Sequence, residues 1–211
     1  QMAAWSRYAI DPRFGLAAAQ RLQAAWLDRA ARADDGVHSL VVAEQEGEID
    51  HIALAVRDLE AAVAGYTTLL GRAPNWIGGD GGARHAWFQL GNMALDVISA
   101  QGEGAFGATI AAHIDQHGEG IWALAFAVAD VDAAQALAAR RGIPGGKPHS
   151  TRSTHDDGRK RYWTTAALEA AATGGVNILL VGPARDGSTW PLSDAVGDEA
   201  AAVPLLDHVV I

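Results

Sequence analysis

The chain has 211 residues, of which 49% are hydrophobic and 19% are charged, a composition typical of a globular protein with one or two cores. Its formal net charge of −9 disfavours binding to nucleic-acid phosphates, and its only tight basic cluster is Arg159-Lys160-Arg161. The sequence has no cysteine, which excludes disulfide bonds and thiolate chemistry, and no apolar stretch long enough to span a membrane. We therefore predict a cytoplasmic protein that binds neither nucleic acid nor a membrane.

The first 48 residues are predicted to form an N-terminal extension. Residues 12–33 are rich in alanine and carry leucine and tryptophan side chains at helical spacing, which indicates a helix. Residues 37–43 favour an added strand. The pattern of this extension indicates no function.

An internal repeat begins at residue 49. Residues 49–70 and 121–142, offset by 72 positions, share eight identities in 22 positions. Each copy opens with strict alternation of large apolar side chains, as expected of a strand with one face in the core. These side chains are Ile52, Leu54 and Val56 in the first copy and Leu124, Phe126 and Val128 in the second.

A helix is predicted after each of these two strands. Asp58 and Asp130 stand at the start of the helical pattern, where a carboxylate can accept hydrogen bonds from free backbone N–H groups. In the first copy the pattern ends at Gly71, a natural helix stop.

Further strands complete each copy. Residues 84–90 and 93–99 are predicted strands joined by Gly91-Asn92, and residues 75–78 form a weaker one. The second copy is predicted to have a polar loop at 147–158, a strand around 162–167 and a clear strand at 176–181, with its middle strand undefined. The predicted fold is α+β, with paired βαβββ modules at 49–100 and 120–182 that form a curved mixed sheet around a cleft.

Alternation also predicts which side chains face the cleft. On the two opening strands these are His51 and small residues, namely Ala53, Ala55, Ala123, Ala125 and Ala127. Small side chains favour an open sheet that accepts a ligand, although alanine is abundant throughout the chain and explains the pattern equally well.

Three cleft-facing side chains of the strand at 84–90, His85, Trp87 and Gln89, are candidate substrate contacts. Asp96 is on the face opposite Leu95 and Val97, and a carboxylate there requires a partner or water.

Residues 183–211 are predicted to hold a linker followed by the start of a third module. Leu206 to Ile211 match Ile49 to Leu54 in pattern, with Asp207-His208 in register with Asp50-His51. The alternative is an ordinary C-terminal strand. In either case an apolar strand requires a partner, which we expect to be residues 37–43 or the same strand of a second copy in a homodimer.

The segment DHIALAV-x-D-L at Asp50 to Leu59, followed by a helix ending in LLG, resembles the first strand and helix of a glyoxalase-like module of the vicinal-oxygen-chelate superfamily, which includes glyoxalases, bleomycin-resistance proteins and extradiol dioxygenases. The resemblance implies a divalent metal, Fe, Mn, Zn, Ni or Mg, held by a His on the first strand and a carboxylate on the last strand of the modules. His51 and Asp96 match these positions.

The second module departs from this pattern, because Ala123 and Leu179 stand at the corresponding positions. The ligand set therefore does not establish a metal. Four-module members of the superfamily, such as the extradiol and hydroxyphenylpyruvate dioxygenases, keep the metal in the second pair. That arrangement fits a metal-free first pair here, and His208 becomes a metal ligand only if a third module exists.

The resemblance implies a protein of small-molecule chemistry. The first expectation is a lyase, isomerase or dioxygenase, or the metal-free half of one; the alternative is a metal-free binding or sequestering protein of the bleomycin-resistance type. Tryptophans suit stacking on a flat ligand, and Trp163 joins the candidate substrate contacts. No residue is assigned a catalytic role by the sequence.

Overall fold

The structure is a computed structural model that describes residues 49–186 together with Val203 and Leu206. These residues belong to a compact unit that spans 46–211. The predicted helix at 12–33 and the predicted strand at 37–43 lie outside the described residues.

The first module has the predicted order of strand, helix and three strands, and its elements are β1 (Ile49–Ala55), α1 (Leu59–Leu70), β2 (Trp76–Asp80), β3 (Ala83–Gln89) and β4 (Ala94–Ala100). Asp58 caps α1, since its carboxylate accepts a hydrogen bond from the backbone N–H of Ala61 at 3.0 Å. Gly71 ends the helix in the left-handed conformation, with φ of 69°.

The second module follows a connecting helix, and the elements of this part are α2 (Ala105–His117), β5 (Gly120–Ala127), α3 (Val131–Arg140), β6 (His149–His155), β7 (Lys160–Ala167), a short 3-10 helix (Ala170–Thr173) and β8 (Ile178–Pro183). The prediction of a loop at 147–158 was wrong, because residues 149–155 form the missing middle strand, paired with β7. Its side chains are polar because most of them remain partly or fully exposed.

The eight strands close into a barrel with the order β1-β4-β3-β2-β6-β7-β8-β5, which confirms the predicted curved mixed sheet of paired modules. Antiparallel β1 and β5 join the modules along one seam. At the other seam β2 and β6 pair only through Gly78–His155 and Gly79–Thr154. A Cβ on Gly78 would lie 2.2 Å from the carbonyl oxygen of Thr154, so this seam requires glycine.

The outer faces of the sheet pack against the helices, as the alternation predicts. Ile52 of β1 and Phe88 of β3 form a buried core with Leu54, Val56 and partly buried residues of α1. In the second module Phe126 and Val128 pack with Val131, Ala166 and Leu180 beneath α3. Burial of these apolar faces supplies the main driving force for the fold.

Helix α2, which the sequence analysis did not predict, packs against the inner face of the barrel. Ile110 and Ile114 of α2 are buried against the small residues Ala53, Ala55 and Ala123. These alanines therefore receive a helix, an explanation that differs from both an open cleft and the composition of the chain. The part of the interior left unfilled by α2 forms the cavity described below.

Of the predicted C-terminal strand at 205–211, the structure describes only Leu206. Its backbone N–H donates to Oδ1 of Asn92 at 3.2 Å, and Nδ2 of Asn92 donates to its carbonyl oxygen at 2.7 Å. Val203 and Leu206 pack against the core of the first module. His208 lies outside the described residues, and among those described no helix is long and apolar enough to cross a bilayer.

Candidate functional site

The interior of the barrel contains a cavity of about 360 Å³. Aromatic side chains from both modules and from α2 form most of its wall, namely Trp87, Phe106, Trp122 and Trp163. Its polar lining includes His51, His85, Asp96 and Thr165. A mostly apolar cavity with a few converging polar groups is typical of a small-molecule site.

His85 and Asp96 form a buried pair on adjacent strands. Nδ1 of His85 lies 2.9 Å and 3.0 Å from the two carboxylate oxygens of Asp96, and the residues are only 6% and 2% exposed. Because a carboxylate only accepts hydrogen bonds, Nδ1 of His85 is the donor, and Nε2 keeps its lone pair. Within the described residues Nε2 has no hydrogen-bond partner. The carboxylate thus finds its partner in the imidazole, and the ring stacks on Phe106 at 5.7 Å between centroids.

His51 lies on the same inner surface. Its Nδ1 is 2.5 Å from Oδ1 of the adjacent Asp50, and its ring meets the indole of Trp87 edge to face at 4.6 Å. His51 is therefore turned away from Leu59 and Val63, as the alternation of β1 predicts. Trp87 separates His51 from His85, since the rings of both histidines contact it.

The remaining predicted substrate contacts divide into two groups. Trp87 and Trp163 line the cavity, with their rings perpendicular and 6.3 Å apart. Gln89 does not reach the cavity, because its side-chain amide donates to the backbone carbonyl oxygens of Leu90 and Met93. It holds the turn between β3 and β4 instead.

Arg161 of β7 extends into the protein interior and is 4% exposed. Its Cζ lies 4.3 Å from the centroid of Trp87, 4.8 Å from Trp163 and 5.7 Å from Trp76. Burial lowers the pKa of Arg161 to about 10, against the charges of Asp96 and Asp50, which raise it. The guanidinium is therefore still positively charged at neutral pH.

The polar groups of the interior do not fit a metal site. Within residues 49–186 no three His, Asp or Glu side chains lie close enough together to hold an ion. Nδ1 of His51 and both oxygens of Asp96 already have hydrogen-bond partners. Ala123 and Leu179 offer no donor atoms at the equivalent positions of the second module. The ligands implied by the resemblance therefore do not form a divalent-metal site in this part of the chain.

An ion pair across the β2–β6 seam borders the cavity. Nε of Arg152 donates to Oδ2 of Asp80 at 2.7 Å, and both residues line the cavity. The hydrogen bond from Arg152 holds the pKa of the Asp80 carboxyl below its usual range. This pair joins the modules at the seam with the fewest backbone hydrogen bonds.

Sequence reasoning missed two residues of this region. Phe106 belongs to α2, whose N-cap residue Gly104 has no side chain to mark the start of the helix. Arg161 was assigned to a basic cluster, although it is two residues before Trp163 and therefore on the same face of β7. The alternation of β7 was the signal that could have identified it.

Comparison with known proteins agrees with this architecture. The family model for the glyoxalase/bleomycin resistance protein/dioxygenase superfamily matches residues 50–163. No protein of curated function matches the sequence.

Solved structures with the same fold include methylmalonyl-CoA epimerases. A variant of the Streptomyces coelicolor enzyme in complex with 2-nitronate-propionyl-CoA is 25% identical, with a TM-score of 0.54, and the match covers 67% of this chain and 98% of that one. A methylmalonyl-CoA epimerase in complex with methylmalonyl-CoA and NH4+ is 25% identical, with a TM-score of 0.55 and coverage of 68% and 99%. A hypothetical protein from Bacillus halodurans shares the fold at 19% identity, with a TM-score of 0.56 and coverage of 67% and 97%. The chain belongs to the glyoxalase/bleomycin resistance protein/dioxygenase superfamily.

Proposed function

We propose that this protein binds a small organic molecule with a flat, apolar part in the barrel cavity and moves a proton on it, as an isomerase or lyase. The observation that carries the proposal is the buried Asp96–His85 pair, whose free ring nitrogen belongs to a cavity-lining residue. A histidine oriented by a carboxylate is a common general base. The proposed role of His85 is therefore proton abstraction.

The reaction begins at a C–H group next to a carbonyl of the ligand. Nε2 of His85 takes the proton, the C–H electron pair moves onto the carbonyl to give an enolate, and Asp96 stabilises the resulting imidazolium. Thr165 is suited to meet the enolate oxygen, because its hydroxyl accepts a hydrogen bond from Thr151 at 3.1 Å and keeps its own proton free to donate. His51 is available to return a proton at another position or face.

Three further observations support this class of reaction. The aromatic wall excludes water from the reacting groups, which strengthens the electrostatic interactions inside the cavity. The epimerases of similar fold act on thioesters that carry an acidic C–H group. A dioxygenase reaction has less support, because it requires a redox metal, and the donor set of residues 49–186 does not fit one.

A second candidate function is binding without chemistry, as in a sequestering protein. It is favoured by the four aromatic side chains that line the cavity, which suit stacking on a flat ligand. This candidate uses the same cavity but assigns no proton transfer to His85.

Exchange of a carbon-bound proton with solvent separates the two candidates. The probes are N-acetylcysteamine thioesters of phenylacetate, 2-phenylpropanoate and 3-phenylpropanoate, and those that quench tryptophan fluorescence on binding are incubated in D2O and followed by NMR. We expect protein-dependent loss of the C–H signal, reduced at least about 100-fold in His85→Gln.

A matched control is His149→Gln, since His149 is an exposed residue at the cavity. We expect this variant to retain exchange. Probe binding that is unaccompanied by exchange above the buffer rate, or exchange that survives in His85→Gln, would favour binding without chemistry.

A further inference from the structure

The proposed proton transfer makes no use of the guanidinium of Arg161, which is a charged group deep in the barrel. Two of its nitrogen atoms, Nε and Nη1, are buried and have no hydrogen-bond partner among the described residues. The indole Nε1 of Trp87, whose ring lies against the guanidinium, is likewise without a partner there. Hydrogen bonds therefore do not account for the presence of a buried cation.

Electrostatic interactions account for it better. The faces of Trp87, Trp163 and Trp76 lie within 5.7 Å of Cζ, a distance at which a ring attracts a cation. The carboxylates of Asp96 and Asp50 both favour the charged guanidinium. These two acids are also the partners of His85 and His51. Arg161 therefore supplies the positive charge that offsets the acids of the first module.

We propose that Arg161 is the permanent cation of the barrel interior, in the electrostatic role that a divalent metal has elsewhere in the superfamily, and that it keeps the region of His51 and Asp96 free of metal. A second cation near the guanidinium would be repelled, and its removal would leave the carboxylates uncompensated. The second module has no metal-ligand side chain at Ala123 or Leu179 and contributes the cation from β7 instead. This proposal does not depend on proton transfer by His85.

Metal binding tests the first part of the proposal. Calorimetry with Mn²⁺ and Zn²⁺ is expected to detect no stoichiometric site in residues 49–186 of the wild-type chain. Arg161→Glu replaces the cation with a carboxylate beside Asp50 and Asp96 and is expected to bind Mn²⁺ one to one, at least about 100-fold more tightly than the wild type, because two units of charge are exchanged.

The matched control is Arg159→Glu, because Arg159 is in the same strand region but its side chain is 63% exposed. We expect no metal binding in this variant. A one-to-one site in the wild type that is lost in His51→Ala, or a folded Arg161→Glu variant that gains no site, would overturn the proposal.

A double-mutant cycle tests the charge compensation and remains decisive if Arg161→Glu does not fold. Arg161→Met keeps much of the side-chain volume and is expected to raise the unfolding equilibrium constant at least about tenfold, and less than about threefold in an Asp96→Asn background. Asp157→Asn is the control background, since Asp157 is exposed on the surface, and there the full effect of Arg161→Met should persist. If Arg161→Met has the same effect with Asp96 and with Asn at that position, Arg161 only packs between the tryptophans, and the proposal is wrong.

Discussion

The two modules have the same topology but very different inner faces. The inner face of the first module carries titratable groups, His51, His85 and Asp96. The second presents mainly Ala123, Leu179 and Val181, together with an aromatic wall at Trp163 and the cation of Arg161. The outer faces, by contrast, share the same apolar alternation beneath a helix.

This difference separates what determines the fold from what determines the site. Outer side chains of both modules must pack against α1 or α3, so the periodicity of the repeat is retained there. Inner side chains face a cavity and have no such shared requirement. The duplicated unit therefore provides one scaffold with two roles, polar chemistry in the first module and a wall and counter-charge in the second.

The structures that join the modules are where this comparison can be tested most directly. Ile110 of α2 is fully buried against inner-face alanines of both modules. Ile110→Ala leaves a cavity that the alanines cannot fill, and we expect a loss of about 3 to 4 kcal/mol in the free energy of unfolding. Urea denaturation measures it. The control is Leu69→Ala on α1, where the side chain is 55% exposed and the loss should be below about 1 kcal/mol. Equal losses would mean that α2 does not fill the interior as described.

The same glycine-to-alanine change is expected to have opposite effects in the two helices. In α2, a Cβ on Gly107 would lie 2.0 Å from the carbonyl oxygen of Gly82, so Gly107→Ala should cost about 2 to 3 kcal/mol by displacing the helix from the β2–β3 turn. In α1, a Cβ on Gly65 meets no atom within 4 Å, and Gly65→Ala should stabilise by about 0.5 to 1 kcal/mol. Thermal unfolding of both variants gives the comparison. Loss of stability from Gly65→Ala, or none from Gly107→Ala, would contradict the packing of α2.

The parts of the fold set by local sequence were predictable. The capping carboxylates of Asp58 and Asp130 both accept the expected backbone hydrogen bonds at 3.0 Å, and the alternation of β1 and β5 identified their buried faces. Each of these signals depends only on residues within a few positions of one another. The two main failures, α2 and β6, lacked such a signal, because Gly104 provides no side-chain cap and β6 is polar on both faces.

The candidate site was predictable only in part, for a similar reason. Alternation on β3 brought His85 and Trp87 to the inner face, but it did not reveal that Gln89 turns to the β3–β4 loop carbonyls. Nor could a single strand indicate that Asp96 pairs with His85, since this depends on the register of β3 against β4. Long-range register and the closure of the barrel bring the remaining groups together.

A buried hydrogen bond between the modules should contribute a smaller amount. Nε1 of Trp76 in β2 donates to Oγ of Ser153 in β6 at 2.9 Å, and Ser153 is fully buried. Ser153→Ala leaves the indole N–H without an acceptor, and we expect a loss of about 1 to 2 kcal/mol in urea denaturation. Ser150→Ala, at an exposed position of the same strand, is the control and should change stability by less than about 0.5 kcal/mol. If the two serine variants are equally stable, the hydrogen bond does not hold the seam.

The smallest effect is expected at the ion pair that crosses the same seam. The hydrogen bond from Arg152 lowers the pKa of Asp80, so the pair stabilises the fold above the unfolded-state pKa of about 4, and this contribution is lost as pH falls through the lower folded-state value. Arg152→Gln should therefore lower the melting temperature slightly at pH 7, by an amount that shrinks in high salt because both side chains are partly exposed. Below the folded-state pKa of Asp80 the difference should vanish, since a protonated carboxyl no longer attracts the guanidinium. Arg140→Gln, at an exposed position of α3, should give no comparable pH-dependent difference. A difference for Arg152→Gln that persists unchanged at low pH would mean that Arg152 stabilises the seam by packing, and that the two modules are joined there without a contribution from charge.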